Sequence, residues 1–71
     1  MREETINQII RHKLVKAREE KGYTQMKVQN DYIISQSSLS KIENGFKAIS
    51  AAKLLQLASY YEKPIEYFFN K

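Results

Sequence analysis

The chain has 71 residues, a net charge of +4 and a pI of about 9.4, with no cysteine, two glycines and one proline. A chain of that length is one domain, 1–71, that buries only about 60% of its unfolded surface, and without cysteine neither disulfides nor thiolate zinc sites can staple it. No apolar run approaches the ~20 residues of a membrane span, and Met1-Arg2-Glu3-Glu4 lacks the apolar core of a signal peptide, so a cytoplasmic, cysteine-free protein of a reducing compartment is expected.

The scarcity of glycine and proline favours helices throughout. From Thr5 to Lys21 the apolar positions Ile6, Ile9, Ile10, Leu14 and Ala17 follow a helical period, with Thr5 as the cap and Gly22 in the position of a left-handed terminator. Thr24 is a good N-cap for a second helix carrying Met26, Val28 and Tyr32. A tight turn around Ile33-Ile34 leads to a third helix capped by Ser35 and ending at Asn44-Gly45. Ser50 caps a fourth, with Leu54, Leu57, Ala58 and Tyr61 on its apolar face. Pro64 suits the first turn of a short fifth helix with Ile65, Phe68 and Phe69. The expected fold class is therefore all-α, a compact five-helix domain with a central helix-turn-helix.

The third helix separates into two stripes. Leu39 and Ile42, continued by Phe46, recur at helical spacing on one side. Gln36, Ser37, Ser40, Lys41 and Asn44 line another, which holds amides, hydroxyls and one cation but no carboxylate. Such groups can hydrogen-bond to base edges and phosphates without repelling a polyanion. The basic pI is a second footprint of nucleic-acid binding. An ordinary antiparallel helical pair is the plain alternative.

At Thr24-Gln25, at Ser35-Gln36-Ser37-Ser38-Leu39-Ser40-Lys41-Ile42-Glu43-Asn44-Gly45 and at Pro64-Ile65-Glu66-Tyr67-Phe68-Phe69, the chain resembles the lambda-repressor-like helix-turn-helix family. This is the Cro/repressor or XRE type of phage repressors and small bacterial regulators. The stretch from Ile33 to Lys41 looks most like regulators of the Rgg type, which are longer, so the chain is either a stand-alone regulator or the N-terminal piece of one. Two positions depart from the family pattern. Gln29 stands where a small residue is usual, and Ile33 stands where the turn commonly has glycine. A β-branched residue avoids positive φ, so Ile33 is expected to keep an ordinary backbone, with an altered turn and an extended second helix.

The resemblance implies roles residue by residue. Gln36, Ser37, Ser40 and Lys41 would contact bases, with Lys41 equally suited to a phosphate. Gln25 would clamp a phosphate at the start of the second helix, and Ser38, Asn44 and Lys47 would touch others, with Tyr23 and Lys27 as weaker candidates. Arg18 and Glu43 occupy the places of a structural ion pair that fixes the third helix. Tyr60, Tyr67 and Phe69 exceed what one small core needs, so an exposed dimer patch is expected there, with Tyr61, Ile65 and Phe68 closing the bundle.

These expectations describe a regulator that binds double-stranded DNA as a homodimer on a palindromic operator, without a cofactor. The sequence has no Cys–His or Ser–His–Asp constellation, no glycine-rich phosphate loop and no metal-ligand spacing, so catalysis is not expected. The rival reading is a protein-interaction module, such as an antitoxin or phage decision protein. It would bind a partner protein through Tyr67–Phe69 or the stretch Met1–Gln8.

Overall fold

The structure, a computed structural model, describes residues 2–70. Met1, the first residue of the stretch expected to dock a partner, lies outside them. The described residues form α1 (Glu3–Glu20), α2 (Gln25–Asn30), α3 (Gln36–Glu43), α4 (Ala51–Tyr60) and a C-terminal 3₁₀ turn, Ile65–Phe69. The expected fifth helix is thus a 3₁₀ turn of five residues. Pro64 lies just outside it with extended backbone (ψ 153°).

Local chemistry explains most starts. Thr24, Ser35 and Ser50 each accept from the backbone N–H three residues on, closing the first turns of α2, α3 and α4. The first helix differs from expectation. It begins at Glu3, Ile6 N already donates to Arg2 O, and Thr5 lies inside the helix rather than capping it. Glu3 and Glu4 in that first turn suit the positive end of the helix dipole, which replaces a side-chain cap.

All four α-helices end in one way. The residue two beyond the last helical one has positive φ, and the next N–H reaches back five residues to a helical carbonyl. Gly22 (φ 73°) and Gly45 (φ 82°) take that position after α1 and α3. After α2 and α4 it falls to Tyr32 (φ 61°) and Glu62 (φ 59°), where a side chain makes the left-handed backbone cost ~1–2 kcal/mol. Ile33 keeps ordinary backbone, because the strained position moves one residue earlier. In consequence α2 ends at Asn30 and is not extended, and Tyr32 is exposed rather than part of an apolar face.

One core joins these elements. Leu14 and Ala17 of α1, Val28 of α2, Leu39 of α3, Leu57 of α4, Tyr61 and Phe68 are fully buried, with Ile10, Ile42, Leu54 and Ala58 around them. Each fully buried aliphatic or aromatic side chain contributes about 1.5–3 kcal/mol. Phe46 does not continue the stripe of Leu39 and Ile42: it is 85% exposed. The left-handed Gly45 before it redirects the chain out of the helix, so helical spacing no longer applies.

The Tyr61 hydroxyl is buried with no hydrogen-bond partner among the described residues. Burial pushes its phenol up, and nearby Glu43 adds to the shift. Tyr61→Phe therefore removes a desolvated group while keeping the ring. We expect unfolding free energy in urea to stay level or rise by up to ~1 kcal/mol. A clear loss would mean that the hydroxyl is satisfied in solution.

Candidate nucleic-acid interface

Helices α2 and α3 meet through the turn 31–35, and side-chain contacts from α2 and α4 fix that turn. Gln29 Oε1 accepts from the backbone N–H of Gln36 at 2.7 Å, a second cap for α3 beside that of Ser35. Lys53 Nζ of α4 donates to Ile33 O at 2.6 Å. The Tyr60 hydroxyl donates to Asp31 Oδ2 at 2.6 Å, and Lys27 pairs with the same carboxylate at 2.8 Å. Gln29 thus accounts for the missing small residue: its side chain points outward and caps the next helix instead of separating the two.

Beneath this turn a side-chain chain runs from interior to surface. Arg18 Nε donates to Glu43 Oε2 at 2.8 Å and Nη2 to Oε1 at 3.0 Å, a two-pronged fork, while Nη1 donates to Tyr23 O at 2.8 Å. The two side chains are only 14% and 5% exposed. The Glu43 hydrogen bond raises the Arg18 pKa above its ordinary value, against the opposing effect of burial. Gln25 Nε2 donates to Glu43 Oε1 at 2.9 Å, and Gln36 Nε2 donates to Gln25 Oε1 at 2.9 Å. Both amides are thereby oriented by a buried ion pair, each keeping one amide N–H unused in this relay.

The remaining α3 residues divide between surface and helix end. Ser37 and Lys41 are exposed, and Ser40 is half-buried. Asn44 caps the helix, its Nδ2 donating to Ser40 O at 2.9 Å, with Ser40 Oγ at 3.3 Å. Lys47 reaches back to the half-buried Ser38, Nζ to Oγ 3.4 Å. Glu43 is the only acidic residue of α3, and it is turned inward under Arg18. The exposed face of α3 therefore carries hydroxyls, an amide and one cation and no carboxylate, with Asn44 and Lys47 just beyond its end. That arrangement can donate to and accept from base edges while attracting phosphates.

The aromatic residues sit differently from an exposed patch. Tyr60 is half-buried, its ring 5.2 Å from that of Tyr23 and 5.3 Å from Tyr61. Burial, then the bond to Asp31, push its phenol up. Tyr67 packs edge-on against Phe68 and lies under Lys13 and Lys63, whose ammonium groups are 4.7 and 4.8 Å from its ring centre. Only Phe69 of the three is exposed. Tyr23 packs at a tilt against Tyr60 and Tyr61, with Lys27 over its ring. Sequence reasoning marked Gln29 only as a departure from the family pattern and missed its capping role, along with Lys53 and the Asp31–Tyr60 bond; no local pattern marks these contacts, since each acts across helices.

No three His, Asp or Glu side chains gather as a metal site among the described residues, and no helix of theirs is long and apolar enough to cross a membrane. A family model described as a helix-turn-helix domain matches residues 12–71. No curated protein and no solved structure matches the chain.

Proposed function

The chain belongs to the helix-turn-helix domain family, and from that premise we propose that it is a sequence-specific transcriptional regulator of the lambda-repressor-like, XRE type. It lays α3 in the major groove of double-stranded DNA. Gln36, Ser37, Ser40 and Lys41 read bases, while Gln25, Ser38, Asn44 and Lys47 hold the backbone. The observation that carries this reading is the relay from Arg18–Glu43 through Gln25 to Gln36, which fixes two amides beside the carboxylate-free exposed face of α3. Two copies bind a palindromic operator with half-sites about one turn, ~34–36 Å, apart. They repress by occluding a promoter, and the second copy meets the first at the C-terminal end, around Phe69.

Selection from a random duplex library at ~150 mM salt tests the proposal. A palindromic motif preferred by about 10³-fold or more over a scrambled duplex is expected. Binding that fades equally for both duplexes as salt rises would overturn it, and would turn attention to a protein partner at Phe69. On the selected operator, Gln36→Ala is expected to lose ~1–3 kcal/mol and to relax specificity at one base pair, seen by titrating single-site operator variants. Gln25→Ala acts twice: it removes a phosphate contact and frees the Gln36 amide that Gln25 holds.

A further inference from the structure

Two of the large hydrophobic side chains stand far above the others in exposure, Tyr32 at 94% and Phe46 at 85%, with Leu55 next at 57%. They bracket α3, one just before its first turn and one just after its last. Neither belongs to a loose loop. Tyr32 N donates to Gln29 O at 2.9 Å, and the ring is carried by a left-handed residue. Phe46 N donates to Lys41 O at 2.8 Å, directly after the left-handed Gly45. An apolar residue in the place of Phe46 ordinarily folds back on its helix. Tyr23 and Ile33, in the corresponding places after α1 and α2, do pack against the core; Phe46 does not.

We propose that Tyr32 and Phe46 are further DNA contacts, their rings resting against the sugar faces and base edges of the two strands that wall the major groove. This rests on the regulator reading above. At ~1.5 Å per residue, α3 is about 12 Å long, close to the ~12 Å width of that groove. Residues just beyond its two ends therefore meet the two backbones when the helix spans the groove. Cations accompany both rings: Lys27, with the Tyr60 hydroxyl, holds Asp31 beside Tyr32, and Phe46 is followed by Lys47, with Arg11 as well as Glu3 and Glu4 lining the same cleft.

The test is titration of the selected operator with wild type, Tyr32→Asn and Phe46→Ala over a range of salt concentrations. Asparagine tolerates the left-handed backbone, so the turn is kept while the ring is lost. Each variant is expected to bind about tenfold more weakly, with the wild-type salt slope, because an apolar contact displaces no counterion. Lys47→Ala, by contrast, flattens that slope by about 0.9. The chain has no tryptophan, so Phe46→Trp gives a sole reporter, expected to shift in emission when the duplex saturates it. Wild-type affinity in both ring variants, or unchanged emission from a saturated complex, would overturn the proposal and leave the regulator reading standing. Absence of duplex preference in the wild type itself would remove both.

Discussion

Arg18→Ala is expected to lower the unfolding free energy by ~3–5 kcal/mol, and so the melting temperature by on the order of 15 °C, because Glu43 keeps its burial and loses its counter-charge. The pair itself adds little net stability over a well-packed apolar replacement, since both charges give up water to form it; removing one partner exposes the whole desolvation penalty. The double replacement Arg18→Leu with Glu43→Leu is therefore expected to recover much of the loss in urea titrations. It is not expected to recover operator binding. Gln25 Nε2 then has no acceptor at its inner end, and Gln36, which leans on Gln25, is released with it. A double variant that binds the operator like wild type would show that the relay does not orient the two amides.

The second large effect concerns two adjacent phenylalanines. Phe68→Ala is expected to cost ~3–5 kcal/mol, whereas Phe69→Ala stays within ~0.5 kcal/mol in dilute protein. The C-terminal turn is 3₁₀, with three residues per turn, so Ile65 and Phe68 eclipse one another on its inner side and Phe69 points away. Phe68 is fully buried in the common core with Leu14, and the turn packs closely along α1. Denaturant unfolding of both variants checks the contrast. If two copies associate at Phe69, its replacement also removes any dependence of the midpoint on protein concentration.

Much of the architecture is legible from local chemistry. Thr24, Ser35 and Ser50 announce their helices because a short polar side chain caps the backbone three residues on, and Gly22 and Gly45 close two helices because only glycine takes positive φ without strain. The apolar period marks Leu14, Leu39, Leu57 and Phe68 as core, since burial follows the face of the helix. The polar face of α3 is likewise visible in the residues alone. Thr5 shows the limit of such signals: it has the chemistry of a cap, but the chain upstream was free to add a turn with Glu3 and Glu4 in it.

Tertiary contacts decided the rest. That α2 stops at Asn30 follows from Ile33 packing against the core, which leaves Tyr32 the left-handed position a glycine would otherwise hold. Tyr60 and Tyr67 read as surplus aromatics in the sequence, yet one is drawn in by Asp31 and Tyr23 and the other by Phe68 and two lysines. Gln29 and Lys53 gain their roles only when α2, α3 and α4 converge. Capping and periodicity act within a few residues, so the sequence by itself determined the helices and their faces. Hydrogen bonds between side chains far apart in the chain depend on where those helices come to rest, and only the folded core sets that.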